Sequence, residues 1–266
     1  MLTPAINTMK TNLNKLSSLS LLAMLGAASG FVASSASAAT LVGEWNFDNA
    51  TDRLANTGST GGTHDGTEVG TLTYTNSTLF GGTGQALDAS VASSSMSIDN
   101  SSTGAGYVDT FDGTSFSVSL WMKAPVGGSA WQQAARKGGN SNWQISQKNA
   151  DPNARVIVGH KQHIQLNIFN DEWHHIVLAV NGTTAKSYWD NVEIDMGTIA
   201  RTPDAASALL FGDLVGLVDE IKFYDGVLTS TEVTSLYTTN AIPEPGSYAL
   251  LAGLAGMAFV MARRRI

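Results

Sequence analysis

Residues 116–123 read Phe-Ser-Val-Ser-Leu-Trp-Met-Lys, and this stretch decides the fold class. Apolar side chains stand at every second position, Phe116, Val118, Leu120 and Met122, and the residues between them are two serines and a tryptophan. A repeat of two places successive side chains on opposite faces of a β-strand. The stretch therefore predicts a strand that turns one face toward an apolar core.

The same signal recurs along the chain. Trp173–Asn181 is a longer, mostly apolar run that suits a central strand, and Leu41–Asp48 alternates. Asp190-Asn191 is a good two-residue hairpin turn between Thr184–Trp189 and Val192–Met196. Further strands are predicted at Leu217–Tyr224, Ser95–Asp99, Trp143–Gln147, Arg155–Val158, Ile164–Phe169 and Ala208–Phe211. Roughly ten short strands at short spacing predict an all-β fold, an antiparallel two-sheet sandwich or jelly roll.

One short helix is predicted near the end of the sandwich. Thr229 and Glu232, three residues apart, form a capping box, and Val233, Leu236 and Tyr237 follow at helical spacing. Residues 49–85 show neither strand alternation nor helical spacing. Residues 49–85 are rich in glycine-containing turn signals, so they are predicted to form surface loops.

The N-terminal 38 residues read as a secretory signal peptide. Lys10 and Lys15 form a basic region, Leu16–Val32 is apolar, and Ala36-Ser37-Ala38 is a small-residue cleavage site. The alternative is an uncleaved membrane helix. The predicted mature domain spans residues 39–240.

Residues 241–266 read as a sorting or anchor segment. Pro243, Glu244 and Pro245 precede Tyr248–Ala262, a run of 15 residues without a charge, and Arg263, Arg264 and Arg265 close it. The run predicts a short hydrophobic helix in the cytoplasmic membrane with its arginines inside and the domain outside. The order of features resembles the PEP-CTERM sorting signal of Gram-negative bacteria. The resemblance implies export by the Sec secretion machinery, processing by an exosortase, and delivery to the cell surface or extracellular matrix. The alternative is a plain membrane tail.

The composition excludes several classes of function. The two terminal segments carry five of the 15 basic residues and one of the 22 acidic residues, so the mature domain has 10 basic and 21 acidic residues and a net charge of −11. A body this acidic repels phosphate backbones, so nucleic acid is not an expected partner. The chain has no cysteine, which excludes disulfides, thiolate zinc sites and cysteine nucleophiles.

The order of motifs resembles the laminin G-like, or concanavalin A-like, jelly-roll family. A Trp-x-Phe-Asp strand ending at Asp48 comes first, and a glycine-rich loop follows it. Next come Gly84-Gln-Ala-Leu87, Phe116-Ser-Val-Ser-Leu-Trp121, Arg136-Lys-Gly-Gly139, Glu172-Trp-His-His-Ile-Val177, Tyr188-Trp-Asp-Asn191 and Leu217-Val-Asp-Glu-Ile-Lys-Phe-Tyr224. The resemblance covers nearly the whole predicted domain and implies its fold, but the fold alone does not imply a function.

Asp219 is a candidate ligand for a structural calcium ion. The alternation of its strand places it on the face of Leu217, Ile221 and Phe223, where an uncompensated carboxylate is costly. Resemblance to the family implies a calcium held by this acid together with the first strand, where Asp48 is the natural second ligand. The alternative is that Asp219 accepts backbone N–H groups at a corner of the sheet.

Carbohydrate binding is the functional theme that the resemblance implies. It requires exposed aromatic rings beside amides and acids. Trp131 and Trp143 flank a segment, predicted to be a loop, that contains Asn140 and Asn142, and these four residues are the candidate ligand-binding set. The alternative for Trp143 is a place in the core.

The sequence gives little support for a catalytic motif or a metal-binding motif. Glu193-Ile194-Asp195 is the nearest approach to the acid pattern of glycoside hydrolases, and it lacks a third acid. His174 and His175 are adjacent on a strand, so their rings point to opposite faces and cannot chelate one metal.

The sequence therefore predicts a non-catalytic binding or adhesion module of the cell surface or matrix that recognises an extracellular glycan or exopolysaccharide. The second hypothesis is a structural matrix protein without a specific small ligand. The third, a glycoside hydrolase or polysaccharide lyase, is less favoured.

Overall fold

The computed structural model describes residues 39–79, 84–91, 94–98, 111–127, 131–148, 151–204 and 207–239. Within these ranges fifteen strands form two antiparallel sheets. They are β1 Thr40–Trp45, β2 Gly66–Val69, β3 Thr73–Asn76, β4 Gln85–Asp88, β5 Ser95–Ile98, β6 Ser115–Lys123, β7 Trp131–Lys137, β8 Trp143–Lys148, β9 Ala154–Val158, β10 Lys161–Gln165, β11 Trp173–Asn181, β12 Thr184–Trp189, β13 Val192–Thr198, β14 Leu209–Asp213 and β15 Leu217–Asp225. A 3₁₀ turn covers Gly61–His64, and helix α1 covers Ser230–Thr239.

The strands pair as a two-layer sandwich. Sheet A has the order β13-β12-β11-β6-β15-β4-β3, and β1 pairs with β15 beside β4. Sheet B has the order β10-β9-β8-β7-β14-β5-β2. The all-β, two-sheet prediction is confirmed.

The main core lies between the sheets and follows the alternation of the sequence. Val118, Leu120 and Met122 on β6 are buried in it, while Ser117, Ser119 and Trp121 occupy the opposite, outward face of sheet A. Tryptophans from three strands, Trp45, Trp143 and Trp189, are fully buried there. Period-two strands bury one face each, so stacking two of them encloses an apolar layer.

A second, smaller core joins helix α1 to the outward face of sheet A. Its buried members are Ala39, Val177, Ala179, Tyr188, Tyr224, Leu228, Val233 and Leu236. The predicted capping box starts the helix: the Thr229 N–H donates to the Glu232 carboxylate at 2.7 Å. The Glu232 N–H donates back to the Thr229 hydroxyl at 3.3 Å.

Local turn chemistry fixes two registers. Asp190 and Asn191 both have positive φ, 48° and 67°, as a type I′ hairpin turn requires. Gly159 and His160 also have positive φ, 53° and 66°, and pair Lys161 with Val158. The second turn starts β10 at Lys161, so the prediction of a strand over Ile164–Phe169 is wrong in its bounds.

Three sequence predictions fail in the sheets. Residues 49–85 include strands β2 and β3, which pair with β5 and β4. The predicted loop after Trp131 is the strand β7, whose polar residues pair with β8 and β14. Both segments lack clear apolar alternation, and pairing with neighbouring strands overrides that weak local signal.

The third wrong prediction concerns the face of strand β15 on which Asp219 lies. Glu220 has φ 51°, and the register of β15 against β6 shifts between Asp219 and Lys222. Such a bulge adds one residue to the strand, so Val218 joins Ile221 and Phe223 in the core. Asp219 pairs with Trp121 and shares the outward face of sheet A with it.

Candidate functional site

The outward face of sheet B carries one exposed tryptophan among polar and cationic side chains. Register pairs place Trp131 opposite Lys148, Gln133 opposite Ser146, and Arg136 opposite Gln144 on β7 and β8. Ser146 in turn pairs with Arg155 on β9. We call this set the polar face; its residues are Trp131, Gln133, Arg136, Gln144, Ser146, Lys148 and Arg155.

A bulge in β7 keeps this face continuous. The register of β7 against β8 shifts between Gln133 and Ala135, and both Ala134 and Ala135 are buried in the main core. The extra inward residue leaves Gln133 and Arg136, three positions apart, on the same outward face. The bulge therefore brings Trp131, Gln133 and Arg136 into one surface.

Trp131 is the aromatic contact of the polar face. Its surface is 38% exposed, and the Lys148 ammonium lies 5.2 Å from the centre of its ring. A cation in that position is attracted by the ring and fixes its orientation. An oriented, exposed indole offers an apolar surface for stacking a planar or ring-shaped ligand.

Counting partners among the described residues alone, three polar atoms of this face are buried without a hydrogen-bond partner. They are Arg136 Nε, Ser146 Oγ and Arg155 Nε. Ser146 as a whole is 1% exposed. Buried polar groups are normally paired, so these three atoms leave hydrogen-bonding capacity unused beneath the polar face.

The structure separates the four residues that the sequence grouped. Trp143 is fully buried in the core and presents no surface for stacking, so its assignment to a ligand site is wrong. Alternation on β8 turns it inward, opposite Lys137. Trp131 is in register with Lys148, which lies five residues from Trp143 along β8, about 17 Å.

Asn142 is also wrong as a ligand contact. It is fully buried, and its amide donates to Asp112 at 3.0 Å and accepts from Arg201 at 2.9 Å. Arg201 also pairs with Asp112. Asn140 is exposed but accepts a hydrogen bond from Gln144 at the turn between β7 and β8, far from Trp131. Of the four, the polar face contains only Trp131.

Asp219, the calcium candidate, lies buried near two other acids. Its carboxylate accepts from the Ser77 hydroxyl at 2.5 Å and from the Glu220 N–H at 2.8 Å. Burial first, and then the charges of Glu220 and Asp48, raise the pKa of Asp219 to about 7. Asp48 itself is exposed and accepts from the Gln85 N–H at 2.7 Å.

Both readings of Asp219 made from the sequence fit this geometry. The Glu220 N–H bond is the predicted alternative, a backbone donor at an irregular corner of the sheet. Each carboxylate oxygen retains a second lone pair, and the nearby negative charge of Asp48 favours a cation. Among the described residues no three His, Cys, Asp or Glu side chains cluster as a metal site. Calcium at Asp48 and Asp219 stays a prediction.

Comparison with known families agrees with this architecture. The family profile of the concanavalin A-like lectin/glucanases superfamily matches residues 99–234. The chain belongs to this superfamily. No curated protein sequence matches this concanavalin A-like chain.

Several solved structures are similar to this concanavalin A-like domain. One is domain 4 of AbnA, a GH43 extracellular arabinanase from Geobacillus stearothermophilus, in complex with arabinotriose: identity is 23%, the TM-score is 0.54, and the match covers 76% of this chain and 100% of that one. The binding domain of Paraclostridial Mosquitocidal Protein 1 has 16% identity and a TM-score of 0.58, over 76% of this chain and 52% of that one.

The receptor-binding domain of botulinum neurotoxin D has 11% identity and a TM-score of 0.52, over 74% of this chain and 52% of that one. The concanavalin A-like chain thus spans about half the length of each toxin domain. At these identities the likeness is one of fold.

The PEP-CTERM protein-sorting motif matches residues 241–265 and confirms the predicted signal. It indicates an exported, envelope-associated protein that is processed through exosortase. Pro243, Glu244, Pro245 and Arg263–Arg265, like the predicted signal peptide, lie outside the described residues. Within the described ranges, no helix has the length and apolar character to cross a membrane.

The histidine pair of the concanavalin A-like domain makes structural contacts. His174 bonds Asp190 at 2.7 Å, and His175 bonds Ser119 at 2.8 Å on the other side of β11. His175 is 1% exposed, and burial lowers its pKa to about 4. The prediction of opposite faces is confirmed.

The nearest approach to a catalytic acid pattern lies at the edge of sheet A. Glu193 accepts from Lys186 at 2.6 Å and from the Tyr188 hydroxyl at 2.9 Å. The Lys186 hydrogen bond, followed by that of Tyr188, lowers the pKa of Glu193. A carboxyl held ionised in this way is a poor general acid.

Proposed function

We propose that this exported domain is a non-catalytic carbohydrate-binding module whose ligand lies on the polar face. The observation that carries the proposal is the placement of the exposed Trp131 on one surface with Gln133 and Arg136. Sugar rings have apolar faces that stack on indole and hydroxyl groups that bond amides, hydroxyls and guanidinium groups. The polar face supplies both kinds of contact side by side.

Two further observations support a binding function. The arabinotriose complex of the similar AbnA domain shows that a sandwich of this shape accommodates an oligosaccharide in that protein. The PEP-CTERM motif indicates an exported, envelope-associated protein, which an extracellular ligand can reach. The proposed partners are therefore an extracellular glycan or exopolysaccharide, together with the export machinery.

Glycan binding by residues 39–239 tests the proposal. These residues contain both sheets and both cores, so they form the folded unit. A glycan array identifies the ligand, and titration calorimetry gives its affinity. Trp131→Ala removes the stacking surface and is expected to weaken binding roughly tenfold or more, as central aromatic contacts do. Trp131→Phe keeps a ring and is expected to lose less.

The matched control is Val192→Ala. Val192 is 63% exposed on β13 of sheet A, away from the polar face, so its truncation is expected to leave binding unchanged. Absence of binding to every glycan would favour the structural matrix hypothesis instead. Binding that Trp131→Ala does not weaken would place the ligand on another surface.

A further inference from the structure

The polar face is cationic in an acidic domain. Of the 10 basic residues between positions 39 and 240, three lie on this one face, Arg136, Lys148 and Arg155. In the part of the chain that the structure describes, two acids lie beside it: Asp151, which pairs with Arg155, and Asp213, which is in register with Gln133. The face keeps an excess of positive charge although the domain as a whole is strongly negative.

Arg136 is the decisive residue of this face. In the part of the chain that the structure describes, no acidic side chain pairs with its guanidinium group, and its Nε is buried without a hydrogen-bond partner. Its neighbours across the strands are Gln144 and Leu210, neither of which carries a charge. A part-buried, unpaired cation is costly, and an anion that accepts its N–H groups would remove that cost.

Two more side chains of the polar face, on the neighbouring strands β8 and β9, also have a buried polar atom without a partner among the described residues. Arg155 uses one Nη for Asp151 at 2.5 Å, and its Nε has no partner within the described ranges. Ser146, on the strand between the two arginines, is 1% exposed and has an unpartnered hydroxyl. Two strand spacings sideways and two residues along the strand separate Arg136 from Arg155, which gives about 12 Å between their Cα atoms.

We propose that the polar face binds an anionic glycan, a polymer of sugars that carry carboxylate groups, and that Arg136 selects the charge. This inference rests on the proposed carbohydrate function and names its ligand class. A carboxylate accepts two parallel N–H groups from the Arg136 fork. A polymer spans the distance from Arg136 to Arg155 while another of its rings stacks on Trp131. A single small anion does not reach all of these contacts.

Paired polymers with matched backbones test the proposal in chelator, which removes calcium bridging. The probes are polygalacturonate against its methyl-esterified form, and dextran sulfate against dextran. Polygalacturonate is expected to bind at least tenfold more tightly than its methyl ester, and its binding is expected to weaken as the salt concentration rises. Arg136→Gln is expected to lose at least tenfold for polygalacturonate, and Arg136→Lys, which keeps the charge but not the fork, to lose part of that.

Lys186→Gln is the control, because it removes one positive charge from sheet A at a side chain that is 47% exposed. It is expected to leave binding unchanged. Equal binding of acid and ester, or wild-type affinity in Arg136→Gln, would overturn the anionic inference while the carbohydrate function stands. Binding of dextran sulfate alone would overturn the carboxylate assignment but keep charge selection. Failure of all four polymers and of a neutral glycan array would remove both proposals.

Discussion

Two buried groups on the outward face of sheet A respond to pH in opposite directions. Asp219 has a pKa of about 7 in the folded protein against an ordinary 3.8, because burial disfavours its charge. The folded state therefore keeps a proton that the unfolded state has released. This contribution to stability is fully present below pH 3.8 and is lost as pH rises through about 7, and three pKa units correspond to about 4 kcal/mol.

His175 has the opposite sign. Burial lowers its pKa to about 4 from 6.5, so the folded state leaves unbound a proton that the unfolded chain takes up. Its contribution is fully present above pH 6.5 and is lost as pH falls through about 4, with a size of about 3 kcal/mol. The two contributions nearly cancel between pH 4 and 7.

Single substitutions separate the two effects. Asp219→Asn keeps the shape of the side chain and removes its titration, so the free energy of unfolding is expected to rise with pH because His175 still titrates. His175→Gln is expected to show the reverse, a fall of roughly 4 kcal/mol between pH 4 and pH 8. Asp225→Asn, an exposed acid on the same strand, is the control for charge alone.

Urea unfolding at unit steps from pH 4 to pH 8, in chelator, measures these slopes. Chelator is required because a bound calcium favours ionised Asp219 and would remove the fall in stability that its protonation causes between pH 4 and pH 7. Parallel pH profiles for the wild type and both variants would refute the reasoning, because they would mean that neither group changes its proton affinity on folding.

Three further predictions concern the metal and the fold. Calcium at Asp48 and Asp219 is expected to raise the melting temperature above that in chelator, and coincident melting curves would remove the metal assignment. Arg201→Met leaves Asp112 buried without its cation and is expected to cost about 3–5 kcal/mol in urea unfolding; a loss under 1 kcal/mol would show that water replaces the pair. Thr229→Ala removes the cap of helix α1 and is expected to cost about 1 kcal/mol, a value that an unchanged melting midpoint would contradict.

Strong local patterns were predictable from the sequence. The strand over residues 116–123, the Asp190-Asn191 turn and the Thr229 capping box all appear as expected. Each depends on residues close in the chain, where alternation, left-handed backbone or a side-chain cap acts over a few positions. The sandwich follows because such strands bury one face each.

The candidate site was only partly predictable. Trp131 was identified as an aromatic candidate, but its polar neighbours were placed in a loop, since β7 carries polar residues on most positions and gives no alternating signal. Trp143 and Asn142 are of residue types that suit a binding site, and only their burial distinguishes them from Trp131. A bulge was the missing information at both Gln133 and Asp219.

The sequence by itself determined that this chain is an exported, cysteine-free β-sandwich with a capped helix and a PEP-CTERM segment. The tertiary structure decided which side chains face the same way: it joined Trp131 with Arg136 and Arg155 and removed Trp143 from the surface. The physical reason is that alternation within a strand is a local property. The bulges and cross-strand registers that bring residues 131–155 together form only when the sheets pair.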